Sequence, residues 1–324
     1  FPIIHLGRPW NFYWLLPYPN QRGLWVNFDS PLLWDVFAVS TYATISSVFF
    51  FIGMIPDIAA IRDTVVGKAK KVFYSVASLG WKGSSWEWGH YTRAYFYFAC
   101  FATPLVISVH SVVSWDFAMA NTPGWHTTIF PPYFVAGAIF SGLAMVITLC
   151  IPLRYIFKLE DYITMDNFDG MSKMIILTSS IVFYAYLIEF FIAWYSGNKY
   201  EYDQFIYRAV GDYALFYWIM MFCNGIVPHL LWFKKIRHNL MILFIITLLI
   251  NIGMWFERFN IIVISLSKEF EPGSWGLYKP SWVEIGITVG SFAWFFMFFL
   301  IFVRTLPALS IAEIKEILLS LIHI

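Results

Sequence analysis

The chain has 324 residues, of which 60% are hydrophobic, 21% aromatic and 13% charged, with a net charge of +1. Soluble domains carry about 25% charged residues, so this composition excludes a soluble fold and indicates that lipid is the main solvent. The near-zero net charge gives no support for nucleic-acid binding, which needs a basic surface. The three cysteines stand singly in apolar runs, so neither a metal site nor a disulfide framework is predicted.

The first predicted element is the end of a helix. The chain opens with Phe1 in the apolar stretch FPII. We therefore expect an N-terminally incomplete chain that holds only the end of its first spanning helix.

Seven later segments are apolar over the roughly 20 residues that a membrane-spanning helix needs. Pro31, Pro131 and Pro280 stand where proline favours a helix start. The predicted spans cover residues 31–56, 92–115, 131–156, 173–196, 208–233, 239–265 and 281–304. The sequence thus predicts an all-α integral membrane protein, a polytopic helix bundle with about seven complete transmembrane helices plus the end of an eighth, in a single domain over residues 1–324.

Two amphipathic segments, 159–171 and the tail 308–324, are too short to span the bilayer and are predicted to lie along a membrane surface. Loops rich in lysine and arginine alternate with loops that contain few of these residues. Loop 57–93 contains six lysine and arginine residues, and loop 116–130 contains none. The positive-inside rule then places segment 1–30 and loops 116–130, 197–207 and 266–280 outside. It places the tail in the cytoplasm.

A first group of ionisable residues lies near the outer ends of the spans: His5, Arg8, Asp35, His110 and Asp116. A quinol loses two protons as it loses two electrons, so its site needs a histidine and a carboxylate beside an apolar slot. We predict that these side chains form such a site. The alternatives are that Asp35 caps a helix or pairs with Arg8, that His110 bonds to a backbone carbonyl, and that Asp116 is interfacial.

A second group runs through the later spans, where charges are costly unless paired or hydrated. These residues are candidates for a proton path: Glu189, Asp212, His229, Glu257 and Glu284. A structural ion pair involving Glu257 and Arg258 is the alternative for that position.

A haem site of the cytochrome b type needs paired histidines at matching depths. His110 is predicted near the outer face and His229 near the inner face. We therefore expect this chain to bind no haem, iron–sulfur cluster or metal, so that electrons must leave to a partner.

Three stretches resemble one subfamily of membrane proteins. They are HLGRPWNFYWLLPYPNQRGLWVNFDSPLLWD (5–35), HYTRAYFYFACFATPLVISVHSVVSWDFA (90–118) with the loop that follows it, and the tail RTLPALSIAEIKEIL. All three resemble the ActC membrane subunits of bacterial alternative complex III, within the NrfD/PsrC family. The first stretch is long enough to be specific, whereas GRP alone would be weak.

The resemblance implies ten spanning helices in the full fold, of which this chain holds the end of the third and the fourth to tenth. It implies menaquinol oxidation near the periplasmic face of the bacterial inner (cytoplasmic) membrane. The sequence leaves open whether this oxidation is coupled to proton translocation. The resemblance also implies four partners: a periplasmic iron–sulfur subunit, multihaem cytochrome c subunits, a second NrfD-like subunit and a terminal oxidase. By motif, His5, Asp35 and Asp116 correspond to the catalytic quinol residues, and Arg8 and His110 line the same site.

Three alternatives remain open. The first alternative is the quinone-reactive anchor of a molybdopterin oxidoreductase, such as polysulfide reductase. The second is a proton or ion transporter that works alone. The third is a purely structural anchor.

Overall fold

The computed structural model describes residues 9–307 and 309–315, and all regular secondary structure in these ranges is helical. After a 3₁₀ turn at Pro9–Leu15, the helices are α1 (Pro31–Thr64), α2 (Lys68–Ala77), α3 (Ser85–Ala118), α4 (Phe130–Ile156), α5 (Met165–Tyr195), α6 (Lys199–Val210), α7 (Ala214–Met220), α8 (Leu240–Phe259) and α9 (Trp282–Thr305). A single helical turn, Lys234–Arg237, precedes α8.

Two of these helices change their winding before they end. α7 continues as a π-helical turn, Met221–Ile226, and a 3₁₀ segment, Val227–Trp232. α8 continues as a π-helical turn, Asn260–Ile264, and a last α-turn, Ser265–Ser267. With these continuations, seven helices of the described chain are long and apolar enough to cross a membrane, which confirms the predicted fold class. The predicted end of an eighth helix falls mainly on residues 1–8, which lie outside the described residues.

Several predicted boundaries differ from the structure. α1 continues to Thr64 beyond the predicted end at residue 56, and α3 begins at Ser85 instead of residue 92. The surface segment predicted at 159–171 is wrong in its second half, because residues 165–171 form the first turns of α5. The fifth span begins at Ala214 instead of residue 208, and the loop predicted at 197–207 contains α6. The tail predicted over 308–324 is described only at 309–315, so its surface location stays a prediction.

The described residues divide into two compact units, with 9–28, 33–109, 280–307 and 309–315 in the first and 29–32 and 110–279 in the second. The prediction of a single domain stays a prediction. In the first unit, α1 meets α3 where the rings of Phe49 and Tyr95 lie 4.7 Å apart, and it meets α9 where those of Phe50 and Phe302 lie 5.8 Å apart. Asp57 is buried near the end of α1, where its Oδ1 accepts a 2.8 Å hydrogen bond from the amide of Ile311.

The second unit contains a continuous apolar core between α4, α5, α7 and α8. Its largest fully buried side chains include Phe130, Tyr133, Phe140, Phe168, Ile175, Leu243 and Ile250. Lipid is as apolar as these side chains, so the helices are held by close packing and internal hydrogen bonds. Gly253 of α8 shows how close that packing is, because a Cβ atom there would lie 2.6 Å from the Cβ of Cys223.

Candidate functional site

A carboxyl group lies at the centre of the second unit. Glu257, near the end of α8, is 1% exposed and accepts a hydrogen bond from the hydroxyl of Tyr186 on α5. That hydroxyl in turn accepts a 3.0 Å hydrogen bond from Nδ2 of Asn224, in the π-helical turn after α7. Side chains from three helices thus form a buried chain of polar groups, as the low-dielectric interior requires of a buried carboxyl.

The fourth helix of the unit, α4, closes the site from the other side. Tyr133 is buried, with its ring edge-on to that of Tyr186 at a centroid distance of 5.6 Å. One turn later, Gly137 brings the α4 backbone near the carboxyl, because a Cβ atom there would lie 3.9 Å from Oε1 of Glu257. The carboxyl is therefore enclosed by α4, α5, α7 and α8.

The neighbouring arginine does not neutralise this carboxyl directly. Among the described residues, no salt bridge involves Glu257. The guanidinium carbon of Arg258 instead lies 4.4 Å from the ring centroid of Phe134. The structure therefore favours a hydrogen-bonded carboxyl over the alternative of an ion pair at this position.

The two π-helical turns each carry a buried asparagine. Asn224 donates to Sδ of Met254 at 3.5 Å, and Asn260 donates to Sδ of Met220 at 3.3 Å. In the described part of the chain, the Oδ1 atoms of both asparagines are buried without a hydrogen-bond partner. A π-helical turn inserts a residue into the helix and is often found at functional sites.

Loop 119–129 and α6 form one end of the second unit. A second polar cluster at this end binds the last turns of the helix that continues from α8. Nη2 of Arg208, a 4% exposed residue of α6, donates to the carbonyl of Gly124 at 3.1 Å and to Oγ of Ser265 at 2.8 Å. Gln204 donates to the carbonyl of Ile264 at 3.1 Å. Side chains of α6 thus donate hydrogen bonds to carbonyl and hydroxyl oxygens at a helix end, where intrahelical donors are lacking.

A cavity of about 170 Å³ lies beside this cluster. Glu189, 8% exposed near the end of α5, lines it together with Glu201 of α6 and His126 of the loop before α4. Oε2 of Glu201 accepts a 2.8 Å hydrogen bond from the amide of Gly124. Burial raises the pKa of Glu201, while that hydrogen bond and the positive charge of Arg208 oppose the shift. The cavity therefore brings together two carboxyl groups and an imidazole.

The residues of the predicted quinol site are only partly described. His5 and Arg8 lie outside the described residues. Asp35 is half-buried on α1 in the first unit, and His110 and Asp116 are half-buried on α3 in the second unit. The last two are six residues apart, about 9 Å along the helix axis. Their grouping with His5 and Asp35 stays a prediction.

The proton-path candidates fall into two classes. Glu189 and Glu257 are buried in the second unit, as described above. Asp212 is exposed in the turn after α6 and accepts a 3.2 Å hydrogen bond from the hydroxyl of Tyr207. Glu284 is exposed and forms a capping box with Ser281 at the start of α9.

The fifth candidate, His229, is half-buried in the 3₁₀ segment after α7 and accepts a 3.3 Å hydrogen bond from Nε1 of Trp232. Asp212, His229 and Glu284 thus each have a local hydrogen-bonding partner. Whether any of the five candidates carries protons stays a prediction.

Sequence reasoning missed the partners of the buried acids: Tyr186, Asn224, Glu201 and Arg208. One signal was present, since Tyr186 precedes Glu189 by three residues and therefore lies on the same helix face. Arg208 stands at the predicted start of the fifth span, residue 208, and nothing in its sequence neighbourhood indicates burial. Its burial depends on α6, which apolar run length does not reveal.

Comparison with known proteins identifies relatives of this chain. Residues 1–267 match the family model described as polysulphide reductase, NrfD. Over 312 residues the chain is 23% identical to a protein of Halobacterium salinarum that is named as a putative dimethyl sulfoxide reductase membrane subunit, in an alignment that covers 88% of this chain and 66% of that relative. The chain therefore spans slightly less than two thirds of the length of this curated relative.

Proposed function

Because the chain belongs to the polysulphide reductase NrfD family of multi-pass membrane proteins, we propose that it is the quinone-reactive membrane subunit of a redox enzyme complex. It exchanges electrons with an iron–sulfur subunit docked on the membrane surface. The family match over residues 1–267 carries this proposal. The buried carboxyl of Glu257, bonded to Tyr186, supports it, because quinol chemistry in a membrane requires groups that hold protons away from water.

In this proposal the quinol enters laterally from lipid near the periplasmic face of the bacterial inner membrane. By the family resemblance, His5, Asp35 and Asp116 handle the two quinol protons, and Arg8 and His110 line the slot. Asp35 or His5 accepts the first proton, and Asp116 passes it to the outer water. The substrate class proposed is menaquinol, with no haem or iron–sulfur cluster held by this chain.

Two types of complex fit this role, and the comparisons favour one of them. The relative in Halobacterium salinarum is named as a dimethyl sulfoxide reductase membrane subunit, which supports the anchor of a molybdopterin oxidoreductase. The resemblance of residues 5–35 and 90–118 supports alternative complex III as the second candidate. That complex implies multihaem cytochrome c subunits, a second NrfD-like subunit and a terminal oxidase.

Purification of the intact complex under mild conditions separates these two types. A molybdopterin-containing subunit that co-purifies with this chain identifies the first, and multihaem cytochromes identify the second. If the chain purifies alone and moves protons or ions in liposomes without a redox partner, the transporter alternative replaces both.

The quinol site is tested by Asp35→Asn in the purified complex. The substitution keeps the size of the side chain and removes its ability to accept a proton, so quinol oxidation is expected to fall at least about tenfold while assembly is retained. Asp161→Asn, at an exposed position before α5, is the matched control and keeps full turnover. Full turnover in Asp35→Asn would end the assignment of this site.

A further inference from the structure

The carboxyl groups that line the 170 Å³ cavity come from different helices. Glu189 is on α5, and Glu201 is on the following helix, α6. The amide of Gly124 fixes one oxygen of Glu201. The loop that contains Gly124 also supplies His126, which is exposed and lines the same cavity. The cavity thus connects a buried acid to a solvent-exposed imidazole.

Glu189 is incompletely satisfied by protein groups. It is 8% exposed, and its Oε1 has no hydrogen-bond partner within residues 9–307 and 309–315. Within the same residue ranges, Nε of Arg208 is likewise buried without a hydrogen-bond partner. A buried polar atom without a partner is costly, and water resolves that cost where the site is polar and has room. One water molecule needs about 10–15 Å³, so this cavity has room for several.

Arg208 is held beside the cavity without pairing directly with either acid. Its Nη2 is taken by the carbonyl of Gly124 and the hydroxyl of Ser265. No salt bridge joins it to Glu189 or Glu201 in the described ranges. Two ionised carboxyl groups beside one guanidinium leave one negative charge uncompensated, and a single added proton makes the group neutral. Low dielectric favours the neutral arrangement.

A metal ion is a weaker candidate for the missing charge. Among the described residues, no cluster of three or more histidine, cysteine, aspartate or glutamate side chains has the geometry to hold one. The adjacent guanidinium of Arg208 also repels a cation. A proton bound by carboxyl groups and water avoids both difficulties.

We propose that Glu189 and Glu201 share one proton through water in this cavity, forming a proton-release site at the outer end of the second unit. On release, an O–H bond at the pair breaks, the proton moves past His126 to the outer water, and the charge of the two carboxyl groups goes from −1 to −2. The source of the proton rests on the proposed quinol function, whereas the site itself does not.

Several groups on neighbouring elements influence this proton. They are His126 on the loop, Tyr133 on α4, Arg208 on α6, Tyr217 on α7 and Glu257 on α8. Of these, only Arg208 and a protonated His126 favour release, because a positive charge stabilises the doubly ionised pair. The raised pKa of Glu201 agrees with retention of the proton above the pH at which an exposed glutamate ionises.

Infrared spectroscopy of the purified complex tests the site in the absence of quinol. The carbonyl stretch of a protonated carboxyl group is followed as a function of pH in the wild type and in Glu189→Gln, Glu201→Gln and Glu269→Gln. Glu269 is exposed in the outer loop after α8 and serves as the matched control. Glu257 and Asp57 are also buried carboxyl groups, so Glu257→Gln and Asp57→Asn are included to identify their signals. Besides these, the wild type is expected to show one further carboxyl signal that persists where exposed glutamates are ionised and shifts in D₂O.

Either cavity variant is expected to remove that signal, and Glu269→Gln to keep it. If the further signal survives Glu201→Gln, the proton is on Glu189 alone and the sharing is overturned. If the further signal survives both cavity variants, the site is overturned. If the cavity variants do not assemble, a complex that carries Glu257→Gln and Asp57→Asn and shows no exchangeable carboxyl signal overturns the site as well. A complex that shows the signal but never oxidises quinol overturns the proposed function and leaves the site standing.

Discussion

The two units of the molecule differ in what their helices bury. In the second unit, α5 and α8 bury glutamates among aromatic side chains, and α6 adds a buried arginine. In the first unit, α9 is equally apolar in sequence, yet none of its described side chains is buried. Apolar side chains can face lipid at no cost, whereas buried charges must be enclosed and hydrogen-bonded. Among the described residues, the first unit buries one charged side chain, Asp57, against the amide of Ile311. The second unit is therefore the part in which buried polar side chains connect several helices.

The largest effect that tests this difference is expected at a glycine. Gly253→Ala places a methyl group 2.6 Å from the Cβ of Cys223 in the second unit. Overpacking of this kind costs about 1–3 kcal/mol. Gly290→Ala on α9, where nothing lies within 4 Å, is expected to leave stability unchanged or raise it by up to about 1 kcal/mol. Thermal unfolding of both variants in detergent measures the contrast, and equal effects would contradict it.

A second effect, of similar size, is expected at the tyrosine beside Glu257. Tyr186→Phe removes the hydroxyl that donates to Glu257 and accepts from Asn224. Leaving buried groups without partners costs about 1–3 kcal/mol. Tyr184→Phe, on the same helix with an exposed side chain, is the control and should be nearly neutral. Denaturant titration in mixed micelles compares them, and a neutral Tyr186→Phe would show that the cluster does not stabilise the unit.

In the first unit, Glu284 allows stability and proton transfer to be separated. Glu284→Ala removes the capping box of α9 and should cost about 1 kcal/mol. Glu284→Gln keeps the hydrogen-bonding pattern of the box and should cost much less. If Glu284 is only a cap, quinol turnover in Glu284→Gln equals that of the wild type. A strong loss of turnover in this variant would instead support Glu284 as part of a proton path.

The smallest effect concerns pH. Burial raises the folded-state pKa of Glu201, so the neutral carboxyl is favoured in the folded protein. Its contribution to stability is therefore complete below the unfolded-state pKa and is lost as pH rises through the folded-state pKa. Glu201→Gln should remove this component from the pH dependence of the melting temperature, while Glu269→Gln should keep it. Superimposable pH profiles for wild type and Glu201→Gln would refute the expectation.

The seven spans were predictable because apolar length and proline position determine where a helix can cross a bilayer. The boundaries that failed did so for local reasons. Charged residues such as Asp169 gave the segment before the predicted span its amphipathic character. In the structure Asp169 pairs with Lys173 at 2.6 Å and with Arg237 at 2.7 Å. At Gly211 the backbone becomes extended, which ends α6 and separates it from α7.

The site was predictable only in part. Glu189 and Glu257 could be recognised as candidates from the sequence, because a carboxyl group within an apolar span is costly unless it is paired, hydrated or functional. Their partners come from helices far away in sequence, and a tyrosine or asparagine among aromatic residues carries no local sign of what it will contact. The π-helical turns were also invisible, because one inserted residue does not disturb the apolar character of a span.

The π-helical turn Asn260–Ile264 has a consequence for how insertions and deletions are tolerated. Trp125 and Gln204 donate hydrogen bonds to the carbonyls of Ile261 and Ile264, so side chains from two distant segments accommodate the extra residue. Removing one residue from this turn would restore regular winding but rotate everything beyond it by about 100°. Ser265 would then face away from Arg208, and a change of length in one helix would release an arginine held by another.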